Sequence, residues 1–453
     1  MKITREFESL KSWNEEIDKY KKGKPIDIYA RHSYPALEKR EHEIAEMIGT
    51  PDTVLFNAGM AAIHTAIEAE ELHPGEIVLC GNNTYSQTKK LFEDLKRRGI
   101  RVIPIQSENT EEIKKAIAIY KPRLIIIESV SNAQSMGVAN FKELGEEIEK
   151  TNNEYENLKP EKLLESMIEK RLSQLEEKEL VEFKAKLLEE IDEFLEGQNP
   201  FVFRPSIKIL RDQEMELQEA IEKVAWLVKY IIKNSREKLS IIVDNTLPSP
   251  VLYNPLRDVK GMDLKMVVVE SATKHYQAGQ DQITAGIAYS NKEDSLKRIK
   301  DKRVRLGTYL QPVSEQKIPE NITETMPDIV QRHADNALTL AKFFNELASA
   351  KVGGILEVSH PNLPTHAQNE LVNKIAPDGL VTLFYLKIKN ASEFVKKIKE
   401  KAEDKIGIGA SFGHPKTWIE LLPDDPEGVR IAAGSETQKE LNQLLEVIKN
   451  ALT

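Results

Sequence analysis

Two residues at the ends of buried runs could carry acid–base and nucleophilic chemistry. The stretch VVVESATKHYQAGQD, Val267 to Asp281, is an apolar β-branched run followed at once by Ser271, Thr273 and Lys274. A lysine there is partly desolvated, which helps its amine lose a proton and attack a carbonyl carbon. Upstream, IIVDNT places Asp244 after another apolar run. An aspartate in that position is held by a salt bridge, by a cap or by a cationic ligand. Three further runs end in distinctive groups. FNAGMAAIHT puts Gly59 and Met60 at a helix start. Free N–H groups and the helix dipole favour a phosphate there, although a glycine before a helix is also ordinary turn chemistry. NNTYSQT offers Tyr85 as a flat stacking surface, and IESVSN places Asn132 after a third strand.

These pieces share one use. Pyridoxal 5'-phosphate needs a lysine for a Schiff base, a carboxylate at its pyridine nitrogen, an aromatic over its ring and donors around its phosphate. The carboxylate keeps the ring nitrogen protonated, so that the ring can absorb carbanion charge.

The elements that must position such a set follow from the pattern of the chain. From Val54 to Val138, short apolar runs alternate with segments of helical period, and the alternation resumes at LSIIVDNT and LKMVVVES. This predicts strand–helix–strand units and a mainly parallel sheet, whose ligands bind at the carboxyl ends of the strands. After Pro327 the style changes. A long helix expected to begin at Asp328 leads into VGGILEVSHP, GLVTLFYLKI and VRIAAG, a smaller α+β domain. Residues 141–238 are charged and continuously helical in pattern, an insertion that packs on the body or a neighbouring subunit, or serves regulation. The expected division is an arm at 1–50, a large domain at 51–140 and 239–325, the insertion, and a small domain at 326–453.

Composition narrows the class. The chain has 453 residues, a net charge of -9 with both signs spread along it, and one cysteine. Nucleic acid and membrane are disfavoured as partners, and no intramolecular disulfide is possible. Cys80 ends EIVLC and reads as a buried strand thiol. The start lacks an apolar signal core and no run approaches a membrane span, so a soluble, cytoplasmic protein is expected. No metal-ligating motif is read.

Eight motifs in order, from Tyr29 to Glu436, resemble those of the cystathionine γ-synthase/methionine γ-lyase family, pyridoxal-phosphate enzymes of cysteine and methionine metabolism. IYARHSYPALEKRE resembles the family's tyrosine–serine–arginine motif, NAGMAA its phosphate turn and YSQT its stacking-tyrosine segment. ESVSNA, IVDNTLPSP and ESATKH match its strand-end motifs, and SFG and GVRIAAGSE match its last two. The resemblance implies a fold type I architecture: a large domain with a mainly parallel seven-stranded sheet and a small C-terminal domain.

The resemblance also implies roles. Lys274 would hold the cofactor and then act as mobile acid–base. Asp244 would pair with the ring nitrogen, Tyr85 would stack on the ring and assist amine deprotonation, and Asn132 would bond the ring oxygen. Gly59, Met60, Ser271 and Thr273 would hold the phosphate. Tyr29 and Arg31 would reach the phosphate of a neighbouring subunit, which implies at least a dimer, with a tetramer as the family habit. Arg430, with Ser411, would grip the carboxylate of an amino-acid substrate, where the plainer reading is a strand-end ion pair.

Departures fall on the substrate side. Gln87 stands where the family has glycine or cysteine, which would re-specify the pocket. Ala133 replaces a proline, and HYQAGQD lacks the glycine–histidine pair that follows the family's lysine. SEQKIPENITETMPDIV replaces an aromatic-plus-RGL segment. The expected activity is elimination or replacement at the γ or β carbon of a homoserine-, cysteine- or methionine-type substrate. The rival is a cofactor-binding protein with altered or lost turnover, used in regulation or assembly.

Overall fold

The β-branched runs LIIIE, SIIVD and KMVVVE form adjacent strands buried almost throughout, as strands covered on both faces must be. The computed structural model describes residues 33–157, 238–280, 282–402 and 405–452. The chain divides into two units, Met1–Lys150 with Leu239–Thr453, and Thr151–Lys238. The second unit, expected as a helical insertion, lies outside the described residues except at its ends, as does the N-terminal arm with Tyr29 and Arg31.

The first unit holds two sheets. The larger has seven strands: β1 (Thr53–Phe56), β2 (Ile77–Gly81), β3 (Arg101–Ile105), β4 (Leu124–Glu128), β5 (Ser240–Asp244), β6 (Lys265–Glu270) and β7 (Gly286–Ser290), in the order β1-β7-β6-β5-β4-β2-β3. The pairs from β3 to β6 are parallel, and β7 runs antiparallel to both β6 and β1. Alternate residues feed two cores. Ile125, Ile127, Ile241 and Val243 enter one, while Ile126, Ile242, Val267 and Val269 enter the other. Cys80 packs in the second core, and burial pushes its thiol up to about 12. Pro104 is tolerated because β3 is an edge strand.

The smaller sheet has five strands: β8 (Ile355–Ser359), β9 (Leu383–Ile388), β10 (Gly407–Ile408), β11 (Trp418–Leu421) and β12 (Gly428–Ala432), in the order β10-β11-β12-β9-β8. Phe344, Phe384, Leu386 and Ile431 lie in its core. Among the described residues no helix is long and apolar enough to cross a membrane.

The long helix runs over Ile322–Ser349 with Pro327 inside it, rather than starting at Asp328. Ile322, Met326 and Val330 recur at helical spacing and are all buried. Burial of that stripe offsets the one backbone bond the proline forgoes.

Register sets the site. Glu128 pairs with Asp244 across β4 and β5, and Asp244 pairs with Val269 across β5 and β6, so three strand ends lie level. Beyond β6 the chain makes one helical turn, Ala272–His275, which carries Lys274. Gly413 closes on that turn with φ +84°, and a Cβ there would stand 2.2 Å from the Lys274 carbonyl oxygen. Gly413→Ala is therefore expected to lower stability by roughly 2–4 kcal/mol, from left-handed backbone strain plus the clash. Gly307→Ala is the control: its φ is +68° but a Cβ there meets nothing within 4 Å. It should cost only about 1 kcal/mol. Urea midpoints of the two variants check the difference.

Candidate cofactor site

A cavity of about 320 Å³ opens at the carboxyl ends of these strands. Its walls include Gly59, Met60, Tyr85, Asn132 and Asp244, together with Ser271, Thr273, Lys274 and Arg430. The size suits a small cofactor with room for part of a substrate.

At one end sits the helix Gly59–Glu68. Ala58 at its N-cap is extended and no side chain caps the helix, so its first N–H groups face the cavity without a capping oxygen. A Cβ at Gly59 would come 2.9 Å from Ser271 Cα, so only glycine lets these turns approach. Thr273 Oγ1 accepts from Ala285 N–H at 3.0 Å and donates to Ala285 O at 3.3 Å. The cradle of N–H groups and hydroxyls fits a phosphate.

The acidic end is built from two carboxyls. Asp244 Oδ1 accepts from Thr246 N–H at 3.0 Å and from Thr246 Oγ1 at 2.5 Å. The same hydroxyl accepts from Ser271 N–H at 2.9 Å, which fastens the ends of β5 and β6 together. Glu128, which the sequence reading did not single out, lies beside Asp244. Its Oε1 accepts from Tyr85 N–H at 2.7 Å and its Oε2 from Asn132 N–H at 2.8 Å. Burial, and then the charge of Asp244, push Glu128 up to about 8. Burial raises Asp244 as well, against the bonds from Thr246. Two buried acids of this kind fit a ligand that brings a cation, as a protonated pyridine nitrogen does. The available signal for Glu128 was its place at the end of LIIIE, the counterpart of Asp244 at the end of SIIVD.

Lys274 Nζ, between the two ends, donates to Ser411 Oγ at 3.1 Å and lies 5.1 Å from the centroid of the Phe412 ring, an attractive distance for an ammonium. Ser411 is reached through this bond and is not itself among the residues lining the cavity. Tyr85 keeps 45% of its surface exposed, which leaves its ring free to stack. Arg430 faces the cavity, but its Nη2 is 2.6 Å from Glu420 Oε2, so the strand-end ion pair is formed. Gln87 stands apart, exposed on the helix Ser86–Arg97 and outside the residues lining the cavity.

Where the glycine–histidine pair was missed, Gln277 does the structural work. Its Nε2 donates to Thr273 O at 3.0 Å and Ile283 O at 2.7 Å, and its Oε1 accepts from Gln282 and Ile283 N–H. The amide thereby fixes the loop behind the lysine turn.

The family model for "Cys/Met metabolism PLP-dependent enzyme" matches residues 9–154 and 220–440. The chain belongs to this family. Its members depend on pyridoxal phosphate, and the cavity holds the residue types such a cofactor needs. Among curated relatives, cystathionine gamma-synthase of Escherichia coli is 31% identical over 104 residues, 23% of this chain and 27% of that protein. Cystathionine gamma-lyase of Macaca fascicularis is 26% identical over 230 residues, 48% of this chain and 54% of that protein. The matched stretches thus span between a quarter and about half of these relatives' length. Among solved structures, CalE6, a methionine gamma lyase from Micromonospora echinospora, aligns with a TM-score of 0.65 at 19% identity, covering 95% of this chain and 90% of that one. MetB from Corynebacterium glutamicum aligns with a TM-score of 0.65 at 18% identity, covering 94% and 86%. At these identities the structures show the shared fold.

His275, next to Lys274, is buried against Phe412 and His333, with ring centroids 5.5 Å and 6.2 Å away. Neither of its nitrogens has a hydrogen-bond partner. Burial, then His333 and Lys274, lower its pKa to about 3. The folded state thus declines a proton that the unfolded chain accepts below its ordinary value near 6.5. Stability from this group is present above that value and is lost as pH falls toward 3. His275→Phe keeps the ring packing and removes the linkage. Between pH 7 and pH 5 the variant should lose roughly 2 kcal/mol less stability than the wild type, read from urea midpoints at each pH.

Proposed function

We propose that this protein is a pyridoxal-phosphate-dependent lyase or transferase of sulfur amino-acid metabolism. It would carry out elimination or replacement at the γ or β carbon of a homoserine-, cysteine- or methionine-type substrate. One observation carries the reading: Lys274, Asp244 and the side-chain-uncapped helix start at Gly59 line a single cavity.

In this reading Lys274 would hold the cofactor through its aldehyde carbon, Asp244 would meet its ring nitrogen and Tyr85 would offer its ring for stacking. Gly59, Met60, Ser271 and Thr273 hold its phosphate, for which Thr273 turns its hydroxyl proton away from Ala285 O. Bound there, the cofactor supplies an electron sink for charge developed at the substrate's Cα. The substrate's amine would displace Lys274, whose freed Nζ would take the Cα proton; once that proton has been passed on, the same amine would take a Cβ proton, and a γ substituent would depart with its bonding pair. Ser411, already bonded to that amine, steadies it. Arg430 takes the substrate carboxylate in a bidentate fork, exchanging Glu420 for it. Tyr29 and Arg31 belong to the phosphate end of a neighbouring subunit, so the working unit is at least a dimer, with a tetramer by family habit. A cytoplasmic location belongs to the same proposal. The rival, cofactor binding without turnover, is less favoured, since a scaffold has no use for an arginine facing the substrate space.

The test begins with borohydride reduction of the cofactor-loaded protein and peptide mapping. A label on Lys274 is expected, and its absence from that residue overturns the reading. Cystathionine, methionine and O-acetylhomoserine are then assayed for α-keto acid, ammonia and thiol release. Lys274→Ala should abolish both label and turnover. Arg430→Lys, which cannot form the fork, should raise KM about tenfold or more with a smaller loss in kcat. A labelled protein that turns over none of these substrates would favour the rival.

A further inference from the structure

Tyr385 does not line the cavity, yet it touches two residues that do. It lies on β9, buried, directly opposite Arg430 of β12, while Arg430 in turn faces Glu420 of β11. Arg430 is the cross-strand neighbour of Tyr385 and its charge bears on the Tyr385 hydroxyl, which donates to Asn132 Oδ1 at 3.0 Å.

The donors decide the direction of this row. The tyrosine hydroxyl has one proton to give, and it goes to the Asn132 amide oxygen. The amide oxygen of Asn132 is then engaged, and its two N–H donors are the groups left to present elsewhere. Asn132 is also held from the other sheet, where Glu128 of β4 accepts its backbone N–H. Its position and its amide orientation are therefore set from opposite sides.

We propose that Tyr385 is a positioning residue: it orients the Asn132 amide so that its NH2 group serves the cofactor's ring oxygen, and it links that amide to Arg430. The inference rests on the cofactor reading above. An N–H donor stabilises the anionic form of the oxygen it faces. With the donor held in place, the bound cofactor gives up its proton at a lower pH. Without the tyrosine hydroxyl the amide is free to rotate, and Arg430 loses a neighbour that holds its fork.

The test uses the cofactor-loaded full chain and its visible absorption as a function of pH. Tyr385→Phe keeps the ring and its packing. It should move the midpoint of the spectral transition upward by about half a unit or more, the worth of one hydrogen bond. KM for the substrate should rise by a larger factor than kcat falls. In an Asn132→Ala background the same change should move the midpoint no further. A midpoint within a tenth of a unit of wild type overturns the proposal, as does an equal shift when Asn132 is absent. Should the wild-type protein show no visible band with pyridoxal phosphate, the cofactor reading falls and this one falls with it. A band whose midpoint ignores Tyr385 sinks this inference alone.

Discussion

Two carboxyl groups buried side by side are the constraint around which the site is organised. Glu128 and Asp244 end adjacent parallel strands in register, Glu128 buried and Asp244 half-buried at the cavity wall, and the charge of Asp244 opposes ionisation of Glu128. Such a pair persists only if hydrogen bonds and a compensating charge meet it. The bonds come from Tyr85, Asn132 and Thr246, residues of the turns that surround the cavity. Holding the acids and arranging Tyr85 and Asn132 at the cavity wall are thus one task. Thr246 extends the same network to Ser271, so the acidic end and the phosphate end share a hydroxyl.

The second organising feature is the approach of the smaller sheet to the lysine turn. Gly413 comes so near the backbone of Lys274 that no Cβ fits, and this brings Ser411 and Phe412 to the amine. Lys274 and Arg430 therefore reach the cavity from different sheets, and their alignment depends on that close contact. The Glu420–Arg430 pair and the Tyr385–Asn132 bond, which meet at the cross-strand neighbours Arg430 and Tyr385, are a polar counterpart to it.

Departures from the family pattern acquire physical sense in this setting. Gln277 makes four backbone contacts with one amide, so the loop after the lysine is held without the glycine–histidine pair. The Arg430–Glu420 pair gives the arginine a carboxylate partner of its own. In the role proposed for this arginine, a substrate carboxylate would have to displace that partner.

Much of this was legible in the order of residues. Strand ends announce themselves, because an apolar β-branched run that stops at a polar residue has only a few physical meanings; Lys274, Asp244, Asn132 and Gly59 were found that way. Periodicity likewise carried the parallel sheet and the change of style after Pro327. The start of the long helix was misplaced, because burial of Ile322 and Met326 outweighs the local cost of a proline, and burial is not written in the local sequence. Gln87 was singled out as standing where the family has glycine or cysteine, and it lies exposed outside the residues lining the cavity. Glu128, Phe412 and Tyr385 became visible only in three dimensions. Their significance lies in what they touch, and Tyr385 meets Asn132 across more than half of the chain. Local chemistry therefore named residues that line the cavity. Only the pairing of strands and the docking of the second sheet decided which partners would tune them, since hydrogen bonds and desolvation depend on neighbours in space.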